Sequence, residues 1–132
     1  MELNQSNRFH NWFRGISAFT VLATFALVIL GGVVRVTDSG LGCPDWPACH
    51  GGIFPPLETK AIIEYSHRIT ASFLVGPLIL FLFIASWMRY RQEKWVVVPA
   101  SLAFVLVIAQ AILGGVTVLT ELPGAAIMAH LA

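Results

Sequence analysis

The chain has 132 residues, of which 57% are hydrophobic and only 11% are charged, and its formal net charge is +1. This composition is too apolar for a soluble domain of the same size, so it indicates an integral membrane protein whose first partner is the lipid bilayer. A net charge this close to zero gives no electrostatic basis for nucleic-acid binding.

Three stretches without charged residues follow one another, at residues 16–34, 69–88 and 95–120. Each has about the 20 apolar residues that a membrane-spanning helix needs. We predict helices at about 13–35, 61–88 and 95–119 in a single domain covering 1–132, with an outer loop at 36–60. A fourth apolar run predicts an incomplete helix over 123–132. The first run is expected to be a retained helix, because no small-residue cleavage site follows it.

The basic residues indicate how the helices are oriented. Five of the eight lie before the first span or in the turn between the second and third: Arg8, Arg14, Arg89, Arg91 and Lys94. Because positively charged flanks stay in the cytoplasm, we expect a multi-pass protein of the plasma membrane with a cytoplasmic N-terminus. The outer loop then meets oxidising conditions, which permit a disulfide between Cys43 and Cys49. We expect these cysteines to be bonded; two free thiols are the alternative.

The first and third spans end in the same five residues, ILGGV, at 29–33 and 112–116. Each is followed by a helix that carries a histidine, His67 or His130. We therefore predict an all-α membrane protein, an antiparallel four-helix transmembrane bundle from a duplicated helical hairpin with its fourth helix truncated. Paired glycines either let helices approach closely or leave room for a flat ligand, and the sequence leaves both open.

His67 and His130 are predicted to lie at similar depth near the outer membrane edge, on two helices that both run inward. Two facing imidazoles can ligate one metal, and haem iron in particular accepts two histidines. The alternative for each is an interfacial hydrogen-bonding role. Gln110, inside the third span, needs an interior partner. His10 and His50 are assigned no ligand role, as a tail residue and a loop residue.

Glu64 lies on the same helix face as His67, three residues before it. Because an ionisable side chain in a membrane span is costly and usually functional, Glu64 is the candidate catalytic residue, as proton carrier or as orienter of a reacting group. The alternative is a structural ion pair with Arg68. Arg35 and Arg68 are candidates to bind haem propionates, with Asp38 and Glu64 as their alternative partners.

Three motifs in order resemble the N-terminal half of the haem A synthase family of cytochrome oxidase assembly factors: LGGVVRVTDSGLGCPDWP at 30–47, IEYSHR at 63–68 and LGGVTVL at 113–119. The similarity runs from about residue 13 to residue 132. The resemblance implies oxidation of a methyl group of haem O to a formyl group by successive hydroxylations, which gives haem A for terminal oxidases.

The resemblance also implies roles for individual residues. His67 and His130 would hold the iron of the substrate haem, and Glu64 would be needed for the reaction. The pair Cys43 and Cys49 would give redox or structural support. Haem O is the implied substrate and haem b a further candidate cofactor, while haem O synthase and an electron donor are the implied protein partners.

Most members of this family carry eight helices in two similar halves. The chain is therefore expected to be either a partial sequence or a half-length enzyme that works as a homo-oligomer.

Two other functions are compatible with parts of the sequence. A bis-histidine b-type membrane cytochrome for electron transfer would use His67 and His130 but has no use for Glu64. A thiol oxidase would use outer cysteines, but it needs a second pair or a Cys-x-x-Cys motif to relay electrons, and the chain has one pair with five intervening residues.

Overall fold

The computed structural model describes the backbone of residues 2–131 and the side chains of residues 8–131. The elements are α1 (Glu2–Val36), α2 (Thr59–Ile69), a π-helical segment (Thr70–Val75), α3 (Gly76–Arg89), α4 (Lys94–Leu119) and α5 (Gly124–Leu131). The described residues form no β-strand, so the all-α prediction is confirmed. Residues 1 and 132, the ends of the predicted domain, lie outside the described residues.

Three helices are long and apolar enough to cross a membrane: Arg8–Val36, Thr59–Arg89 and Lys94–Leu119. Many of their large apolar side chains point outward, and Phe25 and Phe73, for example, are exposed. Outward apolar side chains suit helices whose solvent is lipid. The first helix begins well before the predicted start at residue 13, because residues 2–12 contain no proline or glycine that would end it.

The second span differs from the uninterrupted α-helix predicted at 61–88, because a π-helical segment joins α2 to α3. Pro77 stands in the first turn of α3 and has no backbone N–H to donate to the preceding turn. The N–H of Gly76 reaches back to the carbonyl of Ala71, five residues earlier. The wider π-helical turn accommodates Pro77, so α2 and α3 continue as one span across the membrane.

The helices pack as neighbours in an antiparallel row. α1 packs on α2, the π-helical segment and α3, α3 packs on α4, and α4 packs on α5. Between α3 and α4, Phe83 stacks on Phe104 with ring centroids 4.6 Å apart. At the end where α1 begins, Tyr90 packs on Phe13 with centroids 5.0 Å apart. A small apolar core between α1 and the second span consists of Ala23, Val75 and Ile79.

The outer loop, residues 37–58, lies over the opposite end. The turn between α4 and α5 has left-handed backbone at Glu121 and Leu122, each with φ near 59°. Leu122 contacts the outer loop at Gly40, where a Cβ atom would lie 3.3 Å from Leu122 Cδ2. The loop of the first hairpin therefore reaches the turn of the second.

Candidate functional site

His67, on α2, rests its ring on the backbone of α1 at Gly31. A Cβ atom at Gly31 would lie 3.2 Å from His67 Cε1, closer than ordinary van der Waals contact. The backbone of Leu27, one turn earlier on α1, also faces the ring. The glycine therefore provides the space that the half-buried imidazole occupies.

His130, on α5, has the same arrangement on α4. A Cβ atom at Gly114 would lie 3.3 Å from His130 Cε1, and the backbone of Gln110, one turn earlier, faces the ring. Gly114 and Gly31 are the same residue of the repeated ILGGV run. Each hairpin therefore seats the histidine of its second helix on the first glycine of its first helix.

The Nδ1 atoms of His67 and His130 are buried, and neither has a hydrogen-bond partner among the described residues. A buried nitrogen without a partner requires an explanation such as an ion or a cofactor. The two rings are near enough to interact electrostatically. In the described ranges, the Cα atoms of α2 and α5 stay more than 8 Å apart. The two imidazoles therefore lie near each other, on two helices whose backbones are not in contact.

Glu64 is nearly inaccessible, with 3% of its surface exposed, and it ties the outer loop to α2. Its Oε2 accepts a hydrogen bond of 2.8 Å from the backbone N–H of Cys43, and its Oε1 pairs with the guanidinium of Arg68. The ion pair weighed above as the structural alternative is thus present. Both oxygens are occupied, so Glu64 is well placed to orient a group or hold the loop, and it would have to leave this pair to carry a proton.

Arg68 lies within the disulfide ring of the outer loop. Its Nη1 donates to the carbonyls of Asp45, at 2.7 Å, and Ala48, at 2.8 Å. Its Nη2 donates to the carbonyl of Cys43 at 2.7 Å, as well as to Glu64. Contact of Arg68 with a haem propionate stays a prediction, and the donors that it would use are engaged by the loop.

The ring itself is closed by a disulfide between Cys43 and Cys49, both almost fully buried. The carboxylate of Asp45 accepts hydrogen bonds of 2.6 Å from the backbone N–H groups of Gly51 and His50. These donors, Gly51 first, lower the pKa of the Asp45 carboxyl. The ring is therefore held by a covalent bond, a carboxylate on its solvent side and a guanidinium on its membrane side.

Arg35 ends α1 and is exposed. Asp38, one of its alternative partners, pairs with Lys60 at 3.3 Å, and the other, Glu64, pairs with Arg68. Among the described residues Arg35 therefore belongs to no ion pair. Its guanidinium is available to an anionic ligand.

A contact that the sequence did not predict joins the outer loop to the second hairpin. Trp46, inside the disulfide ring, lies on Gly115 of α4, where a Cβ atom would be 3.1 Å from Trp46 Cδ2. The corresponding residue of the first hairpin, Gly32, has nothing within 4 Å. The loop that Arg68 anchors to α2 thus also covers α4 beside Gly114, which seats His130.

Comparison with known proteins gives one family. The family described as cytochrome oxidase assembly protein matches residues 14–62 and 57–132. A Heme A synthase of an Exiguobacterium species is 35% identical over 123 residues, 92% of this chain and 40% of the relative.

Two Heme A synthases from Bacillus species are similar to the chain to the same degree. The protein from Bacillus licheniformis is 37% identical over 106 residues, 80% of this chain and 35% of the relative. The protein from Bacillus cereus is 39% identical over 114 residues, 84% of this chain and 35% of the relative. The chain thus spans 35% to 40% of the length of these relatives. No solved structure matches it.

Proposed function

Because the chain belongs to the cytochrome oxidase assembly protein family, we propose that it serves haem A biosynthesis, the activity for which its relatives are named. The reaction proposed is oxidation of a methyl group of haem O to a formyl group by successive hydroxylations, which makes the protein an oxidoreductase. The chain spans 35% to 40% of its relatives' length, and the role we propose for this part is to hold the substrate haem.

The observation that carries this proposal is the pair of histidines seated alike on the two hairpins. We propose that His67 and His130 would hold the haem iron. Within residues 8–131 no three His, Cys, Asp or Glu side chains cluster as an ordinary metal-ion site requires. Haem brings its own ring of nitrogen ligands, so two imidazoles are enough. When bound, the haem supplies the methyl group to be oxidised and the iron centre.

Glu64 is the proposed catalytic residue, in an orienting role. It lies one helical turn from His67 on the same face of α2, and its carboxylate is held by the Cys43 N–H and by Arg68. A fixed charge in this position would align a polar substituent or a water molecule beside the bound haem. In this orienting role the Glu64 carboxylate keeps its contacts with the Cys43 N–H and Arg68.

Arg35 is the proposed partner of a haem propionate, because its guanidinium lies on the outer side and is exposed. We also propose that Arg68 binds a propionate, but for this it has to give up its present hydrogen bonds to the loop carbonyls and to Glu64. Replacing Arg35 by Gln should weaken haem retention without unfolding the bundle, since Arg35 belongs to no ion pair among the described residues. Unchanged haem occupancy in this variant would remove Arg35 from the site.

We propose that the protein lies in the plasma membrane with the start of α1 in the cytoplasm. Arg89 and Arg91, at and just after the end of α3, share that side with the start of α1, as the preference for cytoplasmic basic residues requires. The histidines then lie near the outer surface. Haem O synthase is the proposed source of the substrate, and the hydroxylations require an electron donor.

The proposal is tested by purifying the protein from a host that makes haem O and recording its absorption spectrum and pyridine haemochrome. Haem O or haem A is expected, and His67→Ala and His130→Ala should each lose it while circular dichroism shows unchanged helix content. His10→Ala is the matched control, because His10 packs on Tyr90 at the opposite end of the molecule. Protohaem alone, retained by both variants, would contradict the proposal.

A b-type cytochrome is the second candidate, favoured by the observation that both oxygens of Glu64 have structural partners. Haem A formation in a host without its own synthase separates the two. A wild-type protein that makes haem A and a Glu64→Gln variant that binds haem without converting it would support the synthase. Bound haem with no haem A from the wild type would support the cytochrome.

A thiol oxidase is disfavoured, because exchange requires an accessible sulfur. Cys43 and Cys49 are 0% and 1% exposed.

A further inference from the structure

The end of the molecule remote from the histidines contains a cleft that the proposed function does not use. It has a volume of about 460 Å³ and lies between α1 at His10, the end of α3 and the start of α4. This is within the range of about 300–1,000 Å³ that is common for small-molecule sites. Its lining consists of His10, Arg89, Tyr90, Glu93 and Val96.

The cleft is preformed, because its wall is packed and hydrogen-bonded. Tyr90 is 8% exposed, and its ring packs on Phe13 and on His10, with centroids 5.0 Å and 5.3 Å away. Its hydroxyl lies 2.8 Å from Nδ1 of His10. Burial raises the pKa of the Tyr90 hydroxyl. In the tautomer in which this hydroxyl donates to Nδ1, the Nε2 of His10 carries a hydrogen and can donate to a ligand.

Two opposite charges line the cleft without neutralising each other. Arg89 and Glu93 both contribute to its wall, yet neither belongs to the ion pairs that the described residues form. The turn at Tyr90 ends α3 between them, so they are not an i, i+4 pair on one helix. A ligand that carries both charges would satisfy both side chains.

Exposed indoles place the cleft at the level of lipid headgroups. Trp12, Trp87 and Trp95 are 57%, 53% and 89% exposed, and each is close in sequence to a residue of the cleft. Tryptophan is enriched where the hydrocarbon meets the headgroups. The ligands available at that depth include the headgroups of membrane lipids.

We propose that this cleft binds the phosphoethanolamine headgroup of a membrane lipid. The phosphate is held by the guanidinium of Arg89 and the imidazole of His10, and the ammonium donates to the carboxylate of Glu93. A phosphocholine head has no ammonium hydrogen to donate. A phosphoglycerol head has no cation, so it leaves Glu93 opposed by a phosphate.

Competition among lipids in detergent tests the proposal. The purified chain is delipidated, equilibrated with equal amounts of phosphatidylethanolamine, phosphatidylcholine and phosphatidylglycerol, and examined by native mass spectrometry. Phosphatidylethanolamine should be retained about ten-fold over phosphatidylcholine, the effect of one charge-assisted hydrogen bond. Glu93→Gln should bring this ratio close to one, and Arg89→Gln should lower retention of all three lipids.

Arg91→Gln is the matched control, because Arg91 is an exposed cation of the same turn that does not line the cleft. It should leave the lipid ratios unchanged. Equal retention of the three lipids by the wild type, a preference for phosphatidylglycerol, or an effect of Arg91→Gln as large as that of Arg89→Gln would overturn the proposal. Since Glu93 is exposed, its variant keeps the test decisive even if Arg89→Gln fails to fold.

Discussion

The two hairpins seat their histidines in the same way but surround them differently. In the first, Glu64 precedes His67 by three residues and Arg68 follows it, and both are tied to the outer loop. In the second, the residues at the same distances from His130 are Ile127 and Leu131. The feature that both hairpins share is the packing of a histidine ring on the first glycine of the pair. The charged cluster belongs to the first hairpin alone.

The surroundings of the second glycine of each pair also differ between the two hairpins. Gly32 faces open space, whereas Gly115 is covered by Trp46 from the loop of the first hairpin. The outer loop is thus anchored in one hairpin and rests on the other. Perturbing its anchor should affect the surroundings of His67 strongly and those of His130 weakly, and the following variants test that asymmetry.

The largest effect is expected from Arg68→Gln. It leaves Glu64 buried without its cation and removes donors from three loop carbonyls. Breaking a buried ion pair costs about 3–5 kcal/mol, to be measured as a loss in the free energy of unfolding in detergent. Arg35→Gln, the exposed control, should change it by less than about 0.5 kcal/mol. Equal losses in the two variants would mean that Arg68 does not anchor the loop.

The double replacement Cys43→Ser, Cys49→Ser should come next. A disulfide that closes so short a loop contributes about 2 kcal/mol through the unfolded state. Without it the carbonyls that surround Arg68 are no longer held in a ring. Hydrogen exchange should rise in the outer loop and in α2 but not in α5. An equal rise in α2 and α5 would contradict the asymmetry between the hairpins.

Single alanine replacements at the glycine pairs should give a smaller effect, which differs between the first and second glycine of a pair. Gly32→Ala should stabilise by about 0.5–1 kcal/mol, because alanine loses less backbone entropy in a helix and its Cβ meets nothing within 4 Å. Gly31→Ala and Gly114→Ala should lose that gain, since the new Cβ lies 3.2 Å and 3.3 Å from a histidine ring. Thermal unfolding in detergent measures all three, and a gain at Gly31 equal to that at Gly32 would show that the ring moves freely.

Much of this architecture follows from the order of residues along the chain. Uncharged runs predict the three spans, because lipid leaves no other way to satisfy the backbone. The repeated ILGGV predicts that His67 and His130 occupy equivalent places, and the glycine contacts have that register. The π-helical segment had a signal as well, in Pro77 within the second span, but hydropathy alone does not register a missing N–H.

The contacts of the outer loop could not be predicted from the sequence, for a different reason. Arg68 is held by backbone carbonyls, and every residue has a carbonyl, so no residue type marks this site. The packing of Trp46 on Gly115 joins residues far apart in the chain and depends on how the disulfide ring is oriented. The spacing of Glu64 and Arg68, i and i+4, predicted their ion pair, but the sequence did not predict its burial.

The smallest effect is expected from acid, and it too should be confined to the first hairpin. The pKa of Asp45 is lowered by hydrogen bonds from the N–H groups of Gly51 and His50. A carboxyl whose folded pKa is depressed contributes its stabilisation above the unfolded pKa, near 3.8, and loses it as the pH falls through the folded value. Lowering the pH through this window should therefore lower the protection factors of the amides around residues 45–51, corrected for the intrinsic pH dependence of exchange, while those of α5 are unchanged. In Asp45→Asn the same amides should be less protected at neutral pH and lose no further protection in acid. A loop that opens equally in both proteins as the pH falls would assign the acid response to another carboxylate.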